Sequence, residues 1–336
     1  MPGMKALRDK LGQTYKGSTV QMAAEVGDVE FYPTGLPCFD MMVGGMPQGR
    51  LVLMTGRPGS GKSAWCYRAM GMAEQSLLID SEGSYTSSWG ALFGLSDDNL
   101  VVVRPKDMEE CYNIVDQVLR EYDLNYVVID SAAGMSPRGE MARNLDDSKG
   151  YAERAVLNNQ LCRRIVARTR QHQRTTTVLI QHLYENMNPQ GKKWIISGGN
   201  TQQYLNSIHL QMSVARVLTE EVEGADGNET RTIGFVLRWQ IDHSKVSSDG
   251  ANGLWRLFTR NPADETMPRI GYSDDAPELL RQAALAGLVA KRGSWYALWP
   301  ETDQETKVQG EVAAMQLVAD HGDEMVGPLR EALLYG

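Results

Sequence analysis

The stretch Gly56-Arg57-Pro58-Gly59-Ser60-Gly61-Lys62-Ser63 constrains this chain more than any other. It matches GxxxxGK(S/T). An apolar run, 51–55, precedes it, and a segment with helical apolar spacing, 62–73, follows. The glycines let the backbone curl closely round a polyphosphate, and a helix opening at Lys62 adds the positive end of its dipole. In that setting Lys62 is expected to reach the β- and γ-phosphates, and Ser63 to give a hydroxyl to Mg²⁺. With Ala64, positions 56–64 form the expected nucleotide cradle.

The flanking sequence alternates in the way such a loop needs. Strands are expected at 51–55, 76–80, 125–130 and 176–181, with helices at 62–73, 107–122 and 150–171 between them. Short, near-continuous apolar strands separated by helices predict an α/β fold with a mostly parallel central sheet covered on both faces. Longer strands, 207–217 and 230–241, flank TEEVEGADGNET, read as a polar hairpin tip, and another strand follows at 254–259. An antiparallel edge is expected there. The chain turns helical again past 272, with Pro277 near the start. The expected divisions are 1–30 (an N-terminal oligomerisation helix and linker), 31–271 (the core) and 272–336 (a small α+β domain). Segment 4–15 is a basic amphipathic helix with Leu7, Leu11 and Tyr15 on one side. It is too short to stand alone and must pack on something, a neighbouring copy being one choice.

A net charge of −8 argues at first against a nucleic-acid partner. The charge is unevenly spread, however. Residues 272–336 hold 11 acidic and 5 basic groups, a net of −6, whereas 138–174 hold 9 basic and 4 acidic, a net of +5. Local charge governs phosphate contact. No apolar run approaches the roughly 20 residues that span a bilayer. The N-terminus lacks the apolar stretch of a signal peptide, so a cytoplasmic location and no membrane partner are expected. Cys38, Cys66, Cys111 and Cys162 are far apart and read as buried thiols rather than metal ligands.

A phosphate loop of this kind needs a second acidic group near the metal. Asp130, ending NYVVID, is the candidate, expected beside the P-loop strand. Hydrolysis also needs a group that orients or deprotonates water. Glu82, in LLIDSEG, follows another sheet strand and is either that group or a solvated loop carboxylate.

The ordered set YPTGLPCFDMMVGGMPQGRLVLMTGRPGSGKS, LLIDSEG, YVVIDSAAGMSPRGE, GYAER and SGGN, with the tail LAGLVAKRGSWYAL, resembles the RecA family over about 15–334. The resemblance implies a RecA-type P-loop ATPase core with a short N-terminal helix and a small C-terminal domain. It implies Glu82 as the catalytic carboxylate and Trp89 as an aromatic stacked on adenine, the other reading of Trp89 being a core aromatic. His182 falls where the family has a γ-phosphate-sensing glutamine, and Gln181 takes the role after a one-residue slip. Lys245 matches a lysine that reaches the ATP of the neighbouring subunit. The family's second trans lysine falls on His243 here.

The resemblance also accounts for the long polar stretch QHLYENMNPQGKKWIISGGN. It implies two DNA-binding loops, at 138–149 with Arg143 and Lys149, and at 185–199. Lys192 and Lys193 are read as phosphate contacts or as a solvated charge run. Gly198 and Gly199 allow close approach of backbone N–H groups to a phosphate, and Asn200 starts the next helix. Met187 or Trp194 is placed to insert between bases, unless Trp194 packs on Ile195 and Ile196. Arg154, in GYAER, is a further phosphate candidate. Arg163, Arg164 and Arg168 are read as its continuation or as the wet face of the helix. Lys291 and Arg292 are candidate duplex contacts in the C-terminal domain, whose negative charge could equally repel DNA. The implied activity is that of an ATP- and Mg²⁺-dependent recombinase forming a helical homo-oligomer on single-stranded DNA. It would pair that strand with homologous duplex, with loader or single-strand-binding proteins as further partners. A hexameric helicase or translocase motor, an ATP-gated DNA-coating scaffold with vestigial hydrolysis, and a small-molecule kinase are the rivals. HLYEN after the strand looks more like bacteriophage recombinases, so a phage or divergent bacterial source is expected.

Overall fold

The computed structural model describes residues 3–142, 151–169, 174–186, 194–196, 199, 201–224, 227–247 and 249–335. In chain order these form α1 (Met4–Thr14), β1 (Phe31–Tyr32), α2 (Pro37–Val43), β2 (Met46–Pro47), β3 (Leu51–Gly56), α3 (Lys62–Gly71), β4 (Ser76–Asp80), α4 (Ser87–Ala91), β5 (Leu100–Val103), α5 (Met108–Glu121) and β6 (Tyr126–Asp130). There follow α6 (Arg138–Met141), α7 (Tyr151–Thr169), β7 (Thr176–Glu185), β8 (Trp194–Ile196), α8 (Thr201–Leu205), β9 (Ile208–Gly224), β10 (Gly227–Ser244), β11 (Asn252–Phe258) and β12 (Ser273–Asp274). The chain ends in α9 (Ala276–Leu285), β13 (Val289–Arg292), β14 (Trp295–Leu298), β15 (Thr306–Gln309), α10 (Glu311–Asp320) and α11 (Gly322–Tyr335).

The central sheet runs β12-β11-β10-β9-β3-β7-β6-β4-β5. Strands β5, β4, β6, β7, β3 and β9 are parallel, and β10, β11 and β12 add the antiparallel edge. Alternation along β3 explains its burial on both faces. Val52 and Met54 join the cluster under α3, with Trp65, Trp239 and Trp255. Leu51 and Leu53 join the opposite cluster, under α5 and α7, with Val115, Leu161 and Ile165. Phe39, Trp65, Trp239 and Trp255 meet edge to face at 4.7–5.3 Å, which fixes α2 and the P-loop helix on the antiparallel half of the sheet.

Two sequence expectations need correction. Asp130 does not lie on a neighbour of the P-loop strand: β7 stands between β3 and β6. Buried parallel strands read alike whatever their neighbours, so local pattern carries no strand order. Nor does the hairpin tip take up all of TEEVEGADGNET, since the strands run into it from both sides. The ladder continues along both strands to the pair Gly224–Gly227. Glu220 faces Arg231 in register, and the Arg231 Nε donates to its Oε1 at 2.8 Å. Cross-strand pairs of this kind sustain a ribbon that lacks a buried face.

A third cluster holds the C-terminal elements together: Leu279, Ala283, Tyr296, Leu298, Met315 and Leu329, joined by Cys38 of α2. Strand β12 zips onto β11, with Arg256 in a two-point ion pair to Asp274 at 2.7 and 2.8 Å. Asp275 caps α2 across the chain, its Oδ2 accepting from the Cys38 N–H at 2.5 Å and the Phe39 N–H at 3.2 Å. By contrast, α1 buries nothing; Met4, Leu7, Leu11 and Tyr15 are exposed, and Arg8 pairs with Glu25 at 2.8 Å. All four cysteines are buried free thiols. Among the described residues no helix is long and apolar enough to cross a membrane.

Candidate nucleotide and DNA-loop site

The carboxyl ends of β3, β4, β6 and β7 share one rim, where open α/β sheets bind ligands. Register sets the spacing, with Gly56 beside His182 and Asp80 beside Asp130. Gly61, at φ +84°, starts α3 in the left-handed region. A Cβ there would lie 2.4 Å from Leu237, so glycine is required twice over. At Gly56 a Cβ would meet the Ser60 hydroxyl and the Met212 carbonyl oxygen at 2.5 Å or less. Lys62 is buried, and its Nζ donates to the Gly56 and Arg57 carbonyl oxygens at 3.1 and 3.0 Å. Burial pulls its pKa down against the pull of Asp130 and Glu82. The Ser60 Oγ and Asp130 Oδ2 are buried with no partner among the described residues. Burial pushes the Asp130 carboxyl up, opposed by the Ser63 hydroxyl. An orphaned carboxylate oxygen and hydroxyl, and an ammonium resting on carbonyls, suit a polyphosphate with its cation.

Glu82 lies in the turn after β4. That turn is shaped by Asp80, whose carboxylate accepts from the Ser84 and Tyr85 N–H groups at 2.9 and 3.3 Å and from Arg104 at 3.0 Å. The Glu82 Oε1 takes two bonds, from the Ser131 Oγ at 2.5 Å and from the His182 Nε2 at 2.8 Å. Partial burial works to raise this carboxyl, but the bonds from Ser131 and His182 outweigh it and the net shift is downward. Ser131 is itself locked, its N–H donating to the Ser81 Oγ at 2.9 Å and its carbonyl accepting from that hydroxyl at 2.6 Å. Sequence reasoning passed over Ser131, although a serine directly after the strand-ending Asp130 is the visible signal. Gln181 faces the other way. It is fully buried, and its Nε2 donates to Gln202, whose own amide donates to the Gly199 carbonyl oxygen. Geometry therefore brings His182, not Gln181, to the carboxylate.

Trp89 is half-buried on α4, edge to face with Phe93 at 5.4 Å. Thr86 caps that helix by accepting from the Trp89 N–H at 3.3 Å.

Of the DNA-loop candidates, Arg143, Lys149, Met187, Lys192, Lys193, Gly198 and Asn200 lie outside the described residues. Strand β7 runs four residues past its expected end, to Glu185, and β8 folds back on it with Glu185 opposite Trp194. The base of the 185–199 segment is thus a hairpin rather than free coil. The Arg57 guanidinium lies over the Trp194 ring at 5.2 Å. Gly199, at φ +85°, approaches Ala155 of α7. Arg154 is engaged by Glu140 at 3.3 Å. Arg164 and Arg168 converge on Asp116 at 3.9 and 3.2 Å, whereas Arg163 is exposed. Lys291 stacks on Tyr296 at 5.1 Å, and Arg292 lies 3.8 Å from Glu301.

Lys245 is exposed, donating from Nζ to the Tyr204 carbonyl oxygen at 2.6 Å. It lines a cavity of about 1160 Å³ with His243, Asp242, His209, Tyr204 and Trp194. His243 lies 3.7 Å from Asp249. His209 links this wall to the P-loop strand through the Thr55 Oγ1 at 2.9 Å.

Residues 4–245 match the RecA N-terminal domain. The chain is 27% identical to the RecA protein of Bacteroides thetaiotaomicron, over 99% of this chain and 97% of that one. It is 30% identical to the RecA protein of Streptomyces coelicolor, over 92% and 78%. The crystal structure of the RadB recombinase shares the fold at a TM-score of 0.50 and 14% identity, over 68% of this chain and 96% of that one. The domain match begins at α1 and ends at Lys245, taking in every residue gathered on the rim, and the chain belongs to the RecA family.

Proposed function

We propose that this chain is an ATP-dependent homologous recombinase, which coats single-stranded DNA as a helical filament and exchanges that strand with homologous duplex. One observation carries the reading. Strand β7 brings His182 to 2.8 Å from Glu82 and then leads into the hairpin of the 185–199 segment. Nucleotide chemistry and the candidate DNA loop therefore share one strand, as a DNA-stimulated ATPase requires. Bound ATP with Mg²⁺ supplies the phosphoryl group and the charge that screens it. Lys62 and the loop N–H groups hold the phosphates, and Ser63 and Asp130 hold the cation. Ser131 fixes Glu82, which takes the proton of the attacking water. The exposed α1 and the cavity by Lys245 suit contacts with copies on either side, Lys245 reaching the neighbour's phosphates. A filament reads sequence by base pairing, so the protein needs phosphate contacts and stacking platforms rather than groove-reading elements.

The test is phosphate release with and without long single-stranded DNA, alongside Glu82→Gln. Strong stimulation that falls by about 10²–10⁴ in the variant is expected. Electron micrographs then separate filament from ring, and a strand-exchange assay separates a recombinase from a DNA-coating scaffold. Absence of both stimulation and DNA binding would overturn the reading.

A further inference from the structure

Arg57 is the one charged residue of this phosphate loop besides Lys62, and the following proline restricts its backbone. Pro58 holds the preceding residue in the extended region. The Arg57 carbonyl oxygen accepts from the Lys62 Nζ at 3.0 Å and from the Ser60 N–H at 3.2 Å. The side chain is exposed, and its guanidinium lies over the Trp194 ring at 5.2 Å. Trp194 is fixed in turn by its ladder position opposite Glu185 and shares a strand face with Ile196, which packs on the core. A guanidinium beside a polyphosphate cradle has two suitors, an aromatic face and a phosphate oxygen, and the anion is the stronger.

We infer that the Arg57–Trp194 stack is a nucleotide-sensitive latch, in which phosphate in the cradle draws Arg57 off the indole and frees Trp194 to stack on a DNA base. Arg57 is thus a positioning residue, acting on DNA through Trp194. The latch is separate from the His182–Glu82 contact and rests on the reading of the site given above. Without phosphate, the stack withholds the indole by about two- to fivefold in DNA affinity, the range set by an exposed cation–π contact.

The experiment follows tryptophan emission as adenosine 5′-(β,γ-imido)triphosphate and Mg²⁺ are added without DNA, with Trp194→Phe as the reference. The difference between wild type and Trp194→Phe isolates the Trp194 emission change from that of other tryptophans such as Trp89, and Arg57→Ala should lack that difference. A fluorescent analogue reports nucleotide affinity in each variant. In the second arm, single-stranded DNA affinity is measured with and without the analogue. Arg57→Ala and Trp194→Leu should each shrink the ratio of the two affinities by about two- to fivefold, and the double variant no further. Equal loss with and without analogue, or a Trp194 emission change that survives Arg57→Ala, overturns the latch alone. Failure of the wild-type chain to bind the analogue overturns the reading of the site as well.

Discussion

Asp275→Asn should make the protein more stable at pH 8 and erase part of its pH dependence. Asp275 is fully buried; its Oδ2 caps α2, while its Oδ1 has no partner among the described residues. Burial lifts its pKa from 3.8 to about 7, aided by Asp274 and opposed by the Cys38 and Phe39 N–H groups and Arg68. The folded state therefore keeps a proton that the unfolded chain has already released. That contribution is whole below pH 4, fades as pH rises through the interval, and is gone above about 7. At about 1.4 kcal/mol per tenfold change, the interval from 3.8 to about 7 is on the order of 4 kcal/mol. Asparagine keeps the carbonyl oxygen that caps α2 and carries no charge. Urea unfolding from pH 5 to 8, followed by tryptophan emission, should show Asn ahead of wild type by a margin that widens as pH rises to about 7 and then levels off. Alanine, which also lacks the charge but drops the cap, should lie about 1–2 kcal/mol below Asn at every pH. Asn and Ala curves that both run parallel to wild type would refute the argument, because the carboxyl would then titrate alike in both states.

A methyl at Gly134 would sit 3.1 Å from the Glu82 Cγ and 2.9 Å from the Ser81 Oγ. Gly134→Ala should therefore cut phosphate release by about ten- to 100-fold with little change in fluorescent-nucleotide affinity. Gly71→Ala tests packing alone. Its Cβ would overlap the Phe93 carbonyl oxygen at 1.7 Å, and urea unfolding should show a loss of about 1–3 kcal/mol or more. Removing residues 1–15 takes away the exposed apolar side of α1, and sedimentation should show a smaller assembly, with far-ultraviolet dichroism lowered by no more than the loss of that one helix.

The elements round the phosphate loop were legible because burial on both faces forces near-continuous apolar runs between breakers. Strand β4 at 76–80 and strand β6 at 126–130 fall within a residue of the expectation. The same uniformity hides strand order, which is why β7 between β3 and β6 was missed. The outer half of the β9–β10 ribbon was misread for the opposite reason. Val217 and Glu221 are exposed alike there, so no alternation marks it as strand. Backbone bonding along the ladder and the Glu220–Arg231 pair extend it past the point where the apolar signal ends.

Chemistry was legible where one segment carries it and illegible where two must meet. Lys62 and Ser63 stand out by their motif at the start of α3, and Asp130 by its place at a strand end. The choice between Gln181 and His182 could not be made from order alone, since a one-residue slip moves a strand side chain to the opposite face. The structure turns the two to different partners, Gln181 to the buried Gln202 and His182 to Glu82 on the rim. Once His182 takes the rim, the buried amides Gln181 and Gln202 tie the far end of the 185–199 segment, at the Gly199 carbonyl, to the same strand. One strand thus holds both ends of that segment. A shift of His182 against Glu82 must therefore strain the hairpin at Trp194 and the amide chain at Gly199 together, and under the function proposed above this is a mechanical path from the nucleotide to the DNA loop.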